Sequence, residues 1–427
     1  MKNQEITQLA NNLKQLLSDY TVGNQSKYDY YSADNTIRDF GISTPQKMLR
    51  TRPGIGWASR AVNTLSDRVV FDGFGNDRVG MNALLSEIYG DKVINKAKHD
   101  AIIAGMSTIA VADGRLIPFT ALESTGEIDV RTGLFKWGLA VTEWVKASNT
   151  NTTTPKSYIV FTPYWSARFE DNTLVEIIDN PTKRTLLIPI TRRATVDRPL
   201  GKAKVSNTVR RIIDEVGRVK RRYEIAGEFY STPQRFMMGV AEGSEKGDID
   251  ASIGRWIVGT KDEDGDKPEV GQLPQMSINQ FNDNKKDLAR DFCAETSLTL
   301  RNLGYETANP TSVESLTALS DDMLLEAQQT QEEMGEQFKQ IAMTLRMSID
   351  RTDIISSGLR ELVPSWKPIF RVDIGASGDA IFKLKDVMPE LFETTAGYRM
   401  LGLSVRESEA LLASRNAPQG FIQGEQL

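Results

Sequence analysis

The chain has 427 residues, 40% hydrophobic and 26% charged, with a formal net charge of −5. This is an ordinary globular composition, long enough for several structural regions and a real core. A single cysteine, Cys293, excludes an internal disulfide, and a single histidine, His99, excludes a zinc site built from Cys and His.

The start, MKNQEITQLANNLKQLL, lacks the long apolar core of a signal peptide. No uninterrupted apolar run approaches the roughly 20 residues of a membrane span. A soluble protein of a reducing cytoplasm, or of something assembled there, is expected. Residues 1–20 predict a short amphipathic helix, with Leu9, Leu13, Leu16 and Leu17 at helical spacing. After Pro53, the stretch GIGWASRAVNTLSDRVVFDGF carries Val62, Leu65 and Val69 and predicts a helix that runs into a strand. The segment Gly80 to Gly105 repeats the theme, with Leu84, Leu85 and Ile88 on one face. Ser107–Gly114 (STIAVADG) predicts a buried strand closed by a turn.

From Phe119 to Pro199 short β-prone runs alternate with Asn, Thr, Pro and Gly clusters, which predicts an antiparallel sheet module. Within it SNTNTTTPKS predicts an exposed loop. A long helix is then expected from about Val205, its Val209, Ile212, Ile213 and Val216 following the i, i+3, i+4, i+7 pattern. Residues 201–222 hold eight bases (Lys202, Lys204, Arg210, Arg211, Arg218, Lys220, Arg221, Arg222) and two acids, leaving −11 for the remainder of the chain. The arginines fall largely off the apolar stripe.

A polar, Gly-rich stretch follows, with one short helix expected near Ile249–Val258. Another helix is expected over about Ile278–Leu298, with Phe281, Leu288, Ala289 and Phe292 as core and Lys285, Lys286 and Arg290 exposed. Thr311–Glu314 (TSVE) has the pattern of a capping box, in which the Thr hydroxyl and Glu carboxylate satisfy free backbone N–H groups. The long helix it opens keeps helical spacing through Leu316, Leu319, Met323, Ala327, Met334, Phe338, Ile341, Leu345 and Ile349. Its stretch Asp321–Glu336 holds six acids and no base. Phe370–Gly375 predicts a strand, and residues 385–415 are expected to be helical.

Catalytic signatures are missing. The sequence contains neither a G-x-x-x-x-G-K-[ST] phosphate loop nor a G-x-S-x-G elbow. Asp262–Asp266 (DEDGD) lacks the twelfth-position Glu of a calcium loop and reads as a polar turn. His99 reads as a helix histidine and Cys293 as a buried thiol rather than a nucleophile. No catalytic, cofactor or metal residue is singled out, and a non-enzymatic role is expected.

The order of elements resembles the portal proteins of tailed bacteriophages, in particular those of long non-contractile-tailed phages. The stretches that carry the likeness are AVNTLSDRVVFDGF, HDAIIAGMSTIAVADG, PLGKAKVSNTVRRIIDEVGRVKRRYEIAGEFYSTPQRFMMG and PEVGQLPQMSINQFNDNKKDLARDFCAETSLTLRNLGYETANPTSVESL, which together cover most of residues 50–350. Two features depart from the family: Thr299 stands where many relatives have a proline, and the chain is short after the long helix.

The resemblance implies an α+β portal-like fold with an α/β wing, a two-helix stem, a small α/β clip and a helical crown, assembled as a ring. Mapped by order, residues 1–200 with 351–384 would be wing, 201–231 and 277–298 the stem helices, and 232–276 the clip. Residues 299–312 would be the tunnel loop, 313–350 the long helix to the crown, and 385–427 the crown. A dodecameric homo-oligomer at one capsid vertex is implied, through which double-stranded DNA passes, without sequence specificity, in packaging and ejection. Its implied partners are the major capsid protein, scaffold, the terminase large subunit and head–tail connector or adaptor proteins, in the virion and in the host cytoplasm during assembly. Channel or tunnel-loop candidates are Lys285, Lys286, Arg290, Arg301 and Asn302. The basic stem helix offers Arg210, Arg211, Arg218, Lys220, Arg221 and Arg222.

A ring repeats every charge, so a +6 segment becomes a dense cationic band that binds phosphates regardless of sequence. The six acids of Asp321–Glu336 would repel the duplex if they faced the lumen, giving a low-friction path. Two rival readings stand beside this one. The first is a non-enzymatic nucleic-acid-binding head-assembly or scaffold protein that uses the helix 201–222 directly. The second is a nuclease with clustered carboxylates.

Overall fold

The computed structural model describes residues 3–37, 53–146, 153–230, 235–238, 269–272, 278–305, 321–369 and 388–416. The chain divides into two units: unit 1 is Met1–Asn35, Gly56–Arg210 and Thr296–Leu427, and unit 2 is Thr36–Ile55 and Arg211–Glu295. The expected short helix Ile249–Val258, the DEDGD turn, the TSVE box, Leu316, Leu319 and the strand Phe370–Gly375 lie outside the described residues.

Unit 1 is a mixed α and β body. Its first helix, α1 (Asn3–Tyr31), buries Ile6, Ala10, Leu13 and Leu17 against a five-stranded antiparallel sheet. The sheet runs in the order β4 (Ser124–Ile128), β5 (Phe135–Lys146), β6 (Thr153–Phe161), β7 (Trp165–Glu170), β8 (Thr173–Asp179). Leu139, Val141, Tyr158, Val160, Ala167 and Phe169 complete that core, and Tyr158 and Phe169 stack at 5.0 Å between ring centroids. The antiparallel module expected over Phe119–Pro199 is thus present.

Two local expectations in this region are corrected. Helix α1 runs 29 residues, well beyond residue 20. Its second half lacks an apolar stripe and is pinned instead by polar side chains. Asn24 donates to the Ala121 carbonyl at 3.0 Å, Lys27 to the Ala104 carbonyl at 2.6 Å, and the Tyr31 hydroxyl lies 3.0 Å from His99 Nε2. The SNTNTTTPKS loop is shorter than expected, since β6 begins at Thr153 and pairs with β5. Pro155, which has no N–H to give a ladder, sits opposite Trp144 beside a register shift.

Helix α2 (Trp57–Ser66) leads into β1 (Phe71–Gly75) as the spacing predicts, with Val62, Leu65 and Val69 at 0% exposure. The region Gly80–Gly105 is two helices, α3 (Met81–Glu87) and α4 (Gly90–Ala104), rather than one. The break falls at Tyr89, whose φ of 56° is left-handed. Leu85 is buried, while Leu84 and Ile88 are only half-buried.

Strand β2 (Met106–Ala112) is buried almost throughout. It is the centre of the antiparallel sheet β3 (Arg115–Phe119), β2, β9 (Leu187–Thr191).

Within α4, Lys98 is 3% exposed and its ammonium donates to the carbonyls of Ser66 (2.9 Å) and Val69 (2.5 Å). It thereby satisfies acceptors at the end of α2. His99 is half-buried against Tyr31 and Ser66, the structural role the sequence suggests.

Its neighbour Asp100 is raised to about 6, chiefly by burial and secondarily by Glu123, from an ordinary 3.8. The folded chain therefore holds the extra proton between those values, and stability falls as pH rises through that window. Asp100→Asn is expected to raise the melting temperature at about pH 7.5 and to leave it nearly unchanged near pH 4. Thermal melts at the two pH values check it.

The long helix α7 (Asp321–Asp350) follows the undescribed stretch after residue 305. Met323, Ala327, Met334, Phe338, Ile341 and Leu345 are buried as the spacing predicts, but Ile349, in the last turn, is 41% exposed. Helix α8 (Ser357–Arg360) and β12 (Val363–Trp366) follow, β12 pairing antiparallel with β1. The segment 388–416 is a 3₁₀ turn (Pro389–Glu393) and two helices, α9 (Thr395–Met400) and α10 (Val405–Asn416). Helix α10 is tied to β1, since Glu409 accepts from the Asn76 N–H at 2.8 Å and Ser404 donates to Asp72 at 2.8 Å.

Unit 2 contains α5 from Arg211 onward (α5 is Asn207–Tyr230), the two-stranded ladder β10 (Arg235–Met238) with β11 (Glu269–Gln272), and α6 (Asn279–Thr296) up to Glu295. Ile37 and Ile55 are 8% and 7% exposed and close on Gly217, where a Cβ would collide with Ile37. A glycine at this helical position allows that approach. Tyr223 and Phe281 meet edge-to-face at 6.4 Å.

Candidate functional site

Helix α5 opens two residues later than the periodicity suggests, because the Ser206 hydroxyl accepts the Val209 N–H at 3.2 Å and acts as an N-cap. Val209, Ile213 and Val216 are each 1% exposed, and Ile212 is half-buried. The apolar stripe is therefore as expected. The cationic remainder is not a uniform face.

Arg210 is committed to unit 1: it donates to Ser26 and Asn207, and its guanidinium lies 5.9 Å from the Tyr30 ring centroid. Arg221 is 3% exposed, so it belongs to the packed side, contrary to its sequence placement. Arg218 sits 4.0 Å from Glu215 with a largely covered side chain. Arg211 and Arg222 are exposed and Lys220 is half-buried.

On α6, Lys286 and Arg290 are exposed as expected, but Lys285 is half-buried. Arg290 pairs with Asp287 one turn away. Ala289 and Phe292 are fully buried. Cys293 is buried and its thiol is pushed up to about 11 by desolvation, which makes it an inert core thiol.

Of the expected tunnel loop, residues 299–305 are described. Leu300–Leu303 form a 3₁₀ turn. The Thr299 N–H and hydroxyl both donate to Asn302 Oδ1, and Arg60 donates to the Asn302 carbonyl at 3.0 Å. Asn302 thus closes its own turn, a task for which a proline at position 299 would supply no N–H. Arg301 is exposed.

The structure brings together a group that no sequence pattern links. Glu326 of α7, 3% exposed, accepts from Lys204 Nζ at 2.6 Å and from Arg192 Nη2. Both cations are themselves buried, and Arg193 stands 3.9 Å away. Lys204 also donates to the Thr296 carbonyl at 2.8 Å, and Arg192 to the Lys202 carbonyl at 3.0 Å.

Two glycines make this geometry possible. Gly105 (φ +99°) and Gly201 (φ +79°) let the chain turn back on itself so that Arg192 N donates to Gly105 O at 3.0 Å. A Cβ on Gly201 would stand 2.6 Å from the Arg192 carbonyl. Burial alone would raise the Glu326 carboxyl, but Lys204, Arg192 and Arg193 together hold it below the usual carboxylate range. Lys204 is lowered to about 8, by desolvation first.

This cluster corrects the picture of a six-acid stripe on α7. Glu326 faces the interior of unit 1, and Glu333 accepts the Arg193 N–H at 2.8 Å. Lys204 likewise leaves the count of accessible bases. The acidic stripe the sequence reading passed over lies on α6, where Asp283, Asp287, Asp291 and Glu295 recur every fourth residue and all are exposed. The i, i+4 spacing was its signal.

Among the described residues no three His, Cys, Asp or Glu side chains are placed to hold a metal ion, and no helix is long and apolar enough to cross a membrane. A cavity of about 940 Å³ in unit 1, whose lining includes Leu9, Phe135, Trp137, Tyr164 and Trp165, gathers none of the candidate residues.

No family model matches the sequence, and no curated protein matches it. Among solved structures, the chain is similar to one of the virion of a native gene transfer agent particle, at 12% identity and a TM-score of 0.43 over 91% of this chain and 99% of that one. It is also similar to a chain in the neck of the same kind of particle with C12 symmetry, at 11% identity and a TM-score of 0.42 over 91% and 98%.

Proposed function

We propose that the chain is a portal subunit: a structural protein whose ring forms a DNA passage at one capsid vertex and a docking platform for terminase and connector proteins. One observation supports this reading most. Two helices of 24 and 18 residues bracket a small β ladder, and this unit is inserted between an α/β body and a 30-residue helix. This succession along the chain supports the order wing, stem, clip, stem and long helix that the sequence resemblance implies.

The rival, a scaffold-type binder acting through residues 201–222, loses support. Lys204 and Arg221 are buried and Arg210 is engaged with Ser26 and Tyr30. The cationic band is thinner than its charge count, which suits a passage that must not hold DNA tightly.

Negative-stain microscopy of the purified chain, alone and co-expressed with its capsid and scaffold proteins, tests the proposal. Rings with a central hole are expected in at least one preparation. Monomers or dimers in both would overturn it.

A further inference from the structure

We infer that the outer edge of β8 is a strand-addition site for an extended segment of another protein, one that carries the order basic, apolar, apolar, basic. The inference stands on unit 1 alone and does not depend on the portal reading.

The two larger sheets of unit 1 end in four edge strands, β4 and β8 in one, β3 and β9 in the other. An edge presents main-chain N–H and C=O groups that a further strand can take up, and proteins ordinarily cover or blunt it. Strand β9 is buried throughout, and Ser124, Thr125 and Gly126 of β4 are buried. Strand β3 is more exposed but carries Arg115 and Pro118, a charge and a missing N–H that discourage pairing. Strand β8 has neither protection. It runs seven residues without a lysine or a proline, all but Leu174 are exposed, and among the described residues β7 is its one strand neighbour. Val175, Ile177 and Ile178 are 47%, 44% and 55% exposed, three β-branched side chains of the kind that pack between paired strands.

The edge is held ready for a partner. Strands β7 and β8 join through Asp171 and Asn172, whose φ values of 46° and 63° are the left-handed pair of a tight hairpin turn. Lys14 of α1 donates to Asn172 Oδ1 at 2.8 Å and fixes the turn to the helix. The β7–β8 register shifts once, at Val175, and is regular over Glu176–Asp179.

That register sets the occupant. Ile177 stands opposite Ala167, on the face toward α1, and Ile178 stands opposite Ser166 on the reverse face. Each face thus offers one aliphatic and one carboxylate, Ile177 with Asp179 and Ile178 with Glu176. A strand laid along Glu176–Asp179 places one residue opposite each of the four, so it matches with a base, two apolar residues and a base. The hairpin Trp165–Asp179 holds four acids and one base, Arg168. Arg168 stands 3.7 Å from Glu176, with both side chains half-exposed, and the hairpin keeps a net negative charge that favours a basic segment.

A second copy of the chain is the competing occupant. Laid antiparallel with Ile177 facing Ile178, it would set Glu176 against Asp179 at both ends. Laid parallel in register, it would set each acid against its own counterpart. Like charges directly opposite destabilise a strand pair.

The test uses the full chain and a labelled synthetic peptide whose core is lysine, valine, valine, lysine, flanked by threonines. Fluorescence anisotropy is expected to show binding at or below about 1 mM peptide. Amide hydrogen exchange within Val175–Asp179 should slow about tenfold or more at saturation, since added main-chain hydrogen bonds protect them. Glutamates in place of the lysines should weaken binding about tenfold. N-methylation of both valines should abolish it, because one of the two N–H groups faces β8 whichever way the peptide lies. Ile177→Lys with Ile178→Lys should weaken binding about tenfold or more, with circular dichroism confirming the fold. If that pair fails to fold, Ile177→Thr with Ile178→Thr keeps strand propensity and reads the same loss of apolar contact.

Absence of binding at about 1 mM, protection confined to other segments, or binding that survives N-methylation would each overturn the inference. Self-association of the wild-type chain that the lysine pair abolishes would assign the edge to a second copy and refute this occupant. All these failures leave the portal reading standing, since the appearance of rings in microscopy does not test this edge.

Discussion

Replacing Glu326 with alanine is expected to cost about 3–5 kcal/mol of folding stability, because it strands Arg192 and Lys204 in the interior without a counter-charge. Both cations are nearly inaccessible, and Arg192 Nε already lacks an acceptor, so water cannot take over the role of the carboxylate. Glu326→Gln keeps the volume and removes only the charge. Its pH dependence therefore reads the electrostatic part.

Burial lowers Lys204 to about 8, against an ordinary 10.5 and against the pull of Glu326. Between those values the unfolded chain holds the extra proton, so this residue adds stability as pH rises through the window, and its penalty is fully present below it. Without Glu326 the amine is expected to lose its proton at still lower pH. The deficit of Glu326→Gln relative to wild type should then narrow between about pH 7 and pH 9.5 in urea unfolding. An equal deficit at both would show that Glu326 contributes shape rather than charge.

Legibility in the sequence followed the physical kind of each interaction. Where burial repeats along one element, periodicity read it correctly: Val209, Ile213 and Val216 on α5, Met323 through Leu345 on α7, and the apolar run of β2. Polar anchoring left no such trace. The second half of α1 is held by Asn24, Lys27 and Tyr31, each reaching a partner at least 32 residues away, so periodicity alone ends the helix near residue 20.

The ion cluster was invisible for the same reason. Arg192, Lys204 and Glu326 each resemble a solvated charge until the fold brings a separation of 134 residues down to contact. Counting charge along the chain therefore overestimated the basic band on one helix and the acidic stripe on another. The α6 carboxylates, by contrast, could have been found by testing i, i+4 spacing rather than summing charge. Position within a helix decides whether charges add on one surface, and a sum over a window discards that information.

Phe338→Ala is expected to cost a further 3–5 kcal/mol, roughly, as a cavity in the aromatic centre of unit 1. Phe338 has no exposed surface. Its ring lies 5.1 Å from Phe71 at 74° and 5.5 Å from Trp366, while Phe71 also meets Phe74 at 5.1 Å. One truncation thus removes contacts to β1 and β12 together, and edge-to-face pairs add about 0.5–1.5 kcal/mol each beyond area burial. Phe338→Leu, which keeps most of the volume, should cost about 1–2 kcal/mol.

Combining Phe338→Ala with Glu326→Ala is the more informative measurement. The two sites are 12 residues apart on α7, about 18 Å along the axis. They share no partner, so their costs should add to within about 0.5 kcal/mol. A combined cost clearly below the sum would mean that either lesion already releases α7 as a unit. The ion cluster and the aromatic cluster would then be two ends of one cooperative clamp, and the helix between them would move as a rigid rod once either end let go.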